Sequence, residues 1–367
     1  MTLSDFLRKP IFNIPTSYSD DFLTHIEDLL MGYLNQISSI KATDQLEIQS
    51  FHKPLSEIIE RQEKFVNGLI SSIKIYLSGQ PYNAYLNFYA TINPGQNEQP
   101  GLKWLMTPHA PFYRIRKSNG KPFESEDLFH IPFEKRGKVR SQRYSISGFP
   151  SLYLSNSLYT WRRELNCPTI EELYYIELKS TRNLNFFNLT WNPHEQSSSK
   201  VGLYYSLMRW PLIALCSVKV KNPEDNFKPE YIIPQILLQW IRNNKNFDGI
   251  AYDSTHVDKN NTPQKGYFQN FVLPVKENKV NGFCNFLSDI FESTRAFSMS
   301  DILKDENYFI DNKRRPINTG HKTTIIESEK NNLQYITYSD SLLSKIELSS
   351  HYLPKTNLKE IFKERKE

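Results

Sequence analysis

The chain is 367 residues long, enough for one elaborated domain or two packed units with a sizeable core. Hydrophobic residues make up 39%, aromatics 13% and charged residues 23%, a balance that excludes disorder. Lys and Arg number 45 against 40 Asp and Glu; a net charge of +5 over this length does not call for a polyanion and allows an anionic small molecule.

The cysteines Cys167, Cys216 and Cys284 are widely separated and lack C-x-x-C spacing, which argues against a disulfide framework or a zinc site and for a reducing cytoplasm. The opening MTLSDFLRKPIF has no apolar signal region, and the apolar stretch near Trp210 to Val218 is too short to span a bilayer. A soluble, unexported, cytoplasmic protein without membrane contact is expected.

In chain order, Phe22, Ile26, Leu29, Leu30, Tyr33, Leu34 and Ile37 follow helical spacing between Ser17 and about Ile40, behind the start signal Ser19, Asp20 and Asp21. The spacing predicts a second helix over about Leu55 to Leu77, stopped by Gly79 and Pro81, and a shorter one over Tyr82 to Ile92. The loop NPGQNEQPG at 93 to 101 is the best boundary. Strand-like runs follow at Phe112 to Ile115, Ser151 to Leu154, Leu173 to Leu178, Leu212 to Val220, Gly249 to Tyr252 and Asn270 to Val275. Helical patterns interrupt them at Ser155 to Leu165 and Pro229 to Asn243, and beyond about residue 280 the chain is polar and weakly periodic. The mixture reads as α+β, with an N-terminal helical region at 1–100, a central domain at 101–280 and a C-terminal extension packed on it at 281–367.

No dinucleotide-binding glycine motif, P-loop, metalloprotease helix, nucleophile elbow or EF-hand is present, and the 8 histidines lack ligand spacing, so no metal is expected. Three local patterns remain. In FYRIR, alternation puts Phe112, Arg114 and Arg116 on one strand face, so Arg114 is either an edge-strand arginine in a surface salt bridge or a cation facing an anion. In QRYSISGFPSLYLSNSLYTWRREL, Ser155 offers a helix N-cap, and Glu164 lies beside the apolar stripe of Leu158, Trp161 and Leu165. That glutamate either pairs with Arg162 or Arg163 on a solvated face or works in a partly buried site. In NFDGIAYDS, Ser254 ends a short strand, where a serine is a turn former or a site residue.

Together these segments resemble the RES domain family, over roughly residues 108 to 276. The matching positions are Arg114, Glu164 and Ser254, with Arg143 resembling the second arginine and Tyr153 the tyrosine of the strand-to-helix step. LFHIPFEKRGKVRSQRYSISGFPSLYLS looks like a longer bacterial branch, and the N-terminal helices depart from the compact pattern. The resemblance implies an ADP-ribosyltransferase-like fold, a split, mixed or antiparallel sheet with flanking helices around an NAD cleft. It also implies a toxin that breaks down NAD and pairs with a small antitoxin or immunity protein.

On that reading Arg114 and Arg143 would grip the pyrophosphate, and Tyr144 and Tyr153 would stack on its rings. Glu164 would stabilise the sugar cation, with Ser254 positioning the nicotinamide ribose. NAD is then the substrate of a glycohydrolase, or of an ADP-ribosyltransferase that passes the sugar to a protein or nucleic acid. A binding module is the remaining reading, with Lys135, Arg136, Lys138 and Arg140 on nucleic acid, although such runs are usually solvated loops. The N-terminal helices could regulate, self-associate or dock a partner.

Overall fold

The computed structural model describes residues 3–40, 55–93, 103–108, 110–191, 200–256, 268–304, 324–329, 332–338 and 341–364. It is α+β. Two compact units arise, and neither is one continuous stretch: the first takes residues 1–104, 141–146 and 187–250, the second 105–140, 147–186 and 251–367. The stretch 101–280 therefore contributes to both. The expected boundary loop lies outside the described residues beyond Asn93.

The first unit is helical at its centre, with helices Phe22–Ser38, Leu55–Leu77, Pro81–Ile92, Lys200–Ser217 and Ile232–Asn243. The first of these starts where Asp21 accepts from the Thr24 N–H, and its Ile26, Leu30, Tyr33 and Ile37 are buried, as the spacing predicts. Leu55–Leu77 forms as expected.

The run Leu212 to Val220 does not form the expected strand; its first residues close the helix Lys200–Ser217. Trp210, Leu212, Ile213, Ala214, Leu215 and Cys216 are all buried, so the run carries no periodicity to separate a strand from an enclosed helix. Pro211 sits inside this helix and cannot donate to the Leu207 carbonyl one turn back; the Tyr33 hydroxyl donates to it instead at 2.9 Å. The Tyr33 ring stacks on Trp210 with centroids 5.0 Å apart. At Pro229 the expected helix opens as a 3-10 turn and becomes α-helical from Ile232.

Strands are β1 (Lys103–Met106), β2 (Pro111–Lys117), β3 (Ser151–Ser155), β4 (Leu173–Ser180), β5 (Leu184–Leu189), β6 (Gly249–Asp253), β7 (Gln269–Pro274), β8 (Phe291–Ser293), β9 (Phe297–Ser298), β10 (Thr324–Glu329), β11 (Asn332–Thr337) and β12 (Thr356–Asn357). In the second unit the order is β7-β3-β2-β4-β8-β12, with β9 also beside β4, while β10 and β11 form a separate antiparallel pair. The pairs β7–β3, β3–β2, β2–β4, β4–β8 and β8–β12 are antiparallel. Residues past 280, expected as a packed extension, thus supply three strands of this sheet, β8, β9 and β12. Their short, polar strands give no sequence alternation to read.

Strand β2 is interior, between β4 and β3, so Arg114 is not on an edge. Register aligns Glu177, Tyr113, Ser155 and Asn270 in one row across four strands. One cluster packs Tyr113, Ile115, Leu158, Tyr159 and Tyr175 with Phe268, Ile302, Tyr338, Leu343 and Ile346. Phe112 meets Phe271 edge-on at 5.1 Å and Phe291 at 6.0 Å. Burying side chains of this size removes on the order of 100 Å² or more of surface each, which is what fixes β2 in the middle of the unit.

Candidate functional site

Glu164 stands at the end of the helix Leu158–Glu164, and three features place it there. The turn before the helix is tied to β7: the Gln269 N–H donates to Asn156 Oδ1 at 2.9 Å and Asn156 Nδ2 donates to Gln269 Oε1 at 3.1 Å. The N-cap is Ser157, whose Oγ accepts from the Thr160 N–H at 3.1 Å. Ser155, the expected cap, is the last residue of β3 and donates to the Ser157 carbonyl; two capping hydroxyls spaced two residues apart cannot be ranked by sequence. The helix stops because Asn166 and Cys167 take left-handed φ values of 58° and 53° ahead of Pro168.

The helix is also anchored from the C-terminal part of the chain. Glu347 Oε1 accepts from the Leu158 N–H at 2.6 Å and from the Tyr338 hydroxyl. Burial pushes the Glu347 carboxyl up to about 8, against the pull of those two donors.

Two donors converge on Glu164 Oε1, Ser254 Oγ at 2.7 Å and Asn270 Nδ2 at 2.7 Å. Glu164 Oε2 lies 3.8 Å from His256 Nε2, and the side chains of Glu164 and His256 are 25% and 50% exposed. Ser254 follows β6 directly, and its Oγ also accepts from the His256 N–H at 3.1 Å, forming a tight turn. Arg163 Nε and Nη2 each donate to the His256 carbonyl at 3.1 Å, and Arg162 Nε donates to the Pro168 carbonyl at 3.1 Å. Neither arginine pairs with Glu164 on a solvated face: each is partly buried, spent on carbonyls that the turns expose.

Arg114 is partly buried on β2. Its Nη1 donates to the Tyr153 carbonyl at 2.8 Å, and its guanidinium lies 5.6 Å from the Trp161 ring, which itself donates to the Tyr113 carbonyl at 2.6 Å. Burial pushes the Arg114 pKa down to about 9 and Arg116 adds to the push, while Tyr153 opposes it. The group stays cationic at neutral pH. Among the described residues Arg114 has no carboxylate partner, and its buried Nε has no acceptor.

The other expected residues are placed differently. Arg143, in the first unit, donates from Nη1 to the Cys216 carbonyl at 3.0 Å and from Nη2 to the Val218 carbonyl at 2.9 Å, and its guanidinium lies over the Tyr231 ring. Both ends of its fork are thereby used at a helix C-terminus. Tyr144 is fully buried in the same unit beside the Cys216 thiol, so its ring is core there. The structure therefore brings Glu164 and Ser254 together in the second unit, where Arg114 and Tyr153 also meet each other, and holds Arg143 and Tyr144 in the first.

Sequence reasoning missed Asn270 and His256. Asn270 begins an apolar run, and only the β3–β7 register, which sets it opposite Ser155, reveals its place. Among the described residues no group of three or more His, Cys, Asp or Glu could hold a metal ion, and no helix is long and apolar enough to cross a membrane.

No family model matches the chain, and no solved structure matches it. A protein of Bacillus subtilis (strain 168) named "Putative toxin YopC" is 30% identical over 318 residues, which span 79% of this chain and 69% of that protein.

Proposed function

This chain belongs to the family of that Bacillus subtilis protein, and from this premise we propose that it is a toxin-like enzyme that consumes NAD by cleaving its nicotinamide–ribose bond. The observation that carries the reading is the pairing of Glu164 with Ser254 at the junction of a helix end and a strand end, the two residues that the RES resemblance assigns to one site. Strands β4, β2, β3 and β7, paired antiparallel, support an ADP-ribosyltransferase-like sheet as its frame.

Nicotinamide is already a cationic leaving group, so no acid is needed to expel it. The C1′–N bond breaks with its electron pair going to the ring nitrogen, the ribose becomes oxocarbenium-like, and water adds at C1′ and gives up a proton. An ionised carboxylate beside C1′ stabilises that sugar cation, which is the role assigned to Glu164. Arg114 supplies the counterpart for phosphate: a held, partly buried guanidinium without a carboxylate is costly unless an anion arrives. An antitoxin or immunity protein is the partner this reading calls for.

A second reading, ADP-ribosyl transfer to a protein or nucleic acid, is favoured by the exposure of His256 beside Glu164, which would let an acceptor larger than water approach. Purified protein incubated with NAD should release nicotinamide, and Glu164→Gln should lower that rate by about 10² to 10³ fold. Equal rates would remove Glu164 from the chemistry, and no release by the wild type would overturn the NAD reading. Radiolabel from the adenylate moiety appearing on macromolecules in a lysate would select the transferase.

A further inference from the structure

The Glu164 carboxylate is bound asymmetrically. Oε1 accepts from both Ser254 and Asn270 at 2.7 Å, which fills the two lone-pair directions of that oxygen. Oε2 has no hydrogen-bond donor among the described residues, and His256 Nε2 lies 3.8 Å from it, beyond hydrogen-bond reach. The two donors differ in what else they do. Ser254 Oγ also accepts from the His256 N–H, so it belongs to a turn whose carbonyl is held by Arg163. Asn270 is 4% exposed on β7, fixed opposite Ser155 by the sheet, and spends its amide Nδ2 on Glu164.

We propose that Asn270 is a positioning residue that, with Ser254, clamps Oε1 of Glu164 and thereby makes Oε2 the working oxygen, the one presented to the ribose. This rests on the NAD-cleaving reading above. One donor alone leaves the carboxylate free to rotate about its last bond; two donors from different elements fix both its plane and which oxygen faces out. A strand-borne amide suits that task because the sheet, not a loop, sets its position. Ser254 is in consequence a holder of the carboxylate and not a nucleophile: its hydroxyl proton is committed to Glu164.

The test compares wild type with Asn270→Ala, Ser254→Ala, the double variant and Asn270→Asp, by nicotinamide release from NAD across pH 5 to 9 and by melting temperature. Asn270→Ala should lower kcat about 10 to 100 fold with KM changed no more than about threefold, the loss of one charge-assisted hydrogen bond. The double variant should cost far less than the product of the single losses, because either loss alone frees the same carboxylate. Asn270→Asp is the decisive variant. When protonated, its carboxyl can still donate to Oε1; when ionised, it repels it. Its activity should approach wild type at acid pH and collapse as pH rises, a profile that a purely structural asparagine does not generate.

Wild-type kcat in Asn270→Ala, or a wild-type pH profile in Asn270→Asp, would overturn the proposal. If the wild type releases no nicotinamide, the NAD reading has failed, and the clamp is then judged by melting temperature alone. Losses in Glu164→Ala and Asn270→Ala that are less than additive would retain the contact, and strictly additive losses would refute it.

Discussion

Glu347→Gln is expected to stabilise the protein progressively as pH rises. Burial lifts the Glu347 carboxyl to about 8 in the folded chain, against an ordinary value of 4.5. Between those values the folded state keeps a proton that the unfolded state has released. The stability that the neutral carboxyl contributes is therefore complete below pH 4.5 and is lost as pH rises through 8, by about 1.4 kcal/mol per pH unit and up to about 5 kcal/mol in all. Glutamine keeps the oxygen that accepts from Leu158 N–H and the Tyr338 hydroxyl and never ionises, so its contribution stays flat. Urea unfolding of both proteins at pH 5, 6, 7 and 8 gives the difference directly, and other titrating groups cancel in it. The gap should widen in favour of the variant by about 1.4 kcal/mol per unit. A difference that stays constant over this range would refute the reasoning, because it would mean that Glu347 ionises alike in both states.

Two further outcomes follow from other buried groups. His130 accepts from the Cys284 N–H at 2.9 Å, lies within 2.8 Å of the Ile131 carbonyl, and is pushed down to about 4 by burial; stability should be full above pH 6.5 and fall as the unfolded chain takes up a proton between 6.5 and 4. His130→Ala should flatten that acid dependence while costing about 2 to 4 kcal/mol at pH 7, read from unfolding midpoints at both pH values. Arg143→Met should uncover the carbonyls of Cys216 and Val218, lower stability by about 1 to 3 kcal/mol, and speed amide exchange most at the end of the helix Lys200–Ser217.

Much of this was legible in the residues. Helical spacing located Leu55–Leu77 and the stripe of Phe22–Ser38, because one face of each is polar and the other buried. β2, β3, β4, β6 and β7 were found to within two residues at either end, since each carries β-branched or aromatic runs between turn residues. The helix Lys200–Ser217 was unreadable for the opposite reason: its described end has no exposed face to set a period, and the Tyr33 hydroxyl that compensates Pro211 comes from far along the chain. Glu164 and Ser254 could be named together only through the RES resemblance, because nothing local ties residues 90 positions apart. Asn270 and Glu347 needed the sheet register and the C-terminal fold. Arg143 shows the reverse limit, for an arginine after a basic run reads the same whether it grips phosphate or the carbonyls of a helix end.

On the proposed reading, the order in which these partners are made has a consequence. Asn270 follows Glu164 by 106 residues, and Glu347 follows Leu158 by 189. At the usual ~5 to 20 residues per second, the ribosome displays the Glu164 helix for about 5 to 20 s before the strand that clamps its carboxylate exists, and longer before the helix is anchored at its start. On the proposed reading the nascent chain therefore lacks its clamped carboxylate until the strand Gln269–Pro274 has been synthesised. That interval is a window in which a protective partner could engage the protein before it has an active site to block.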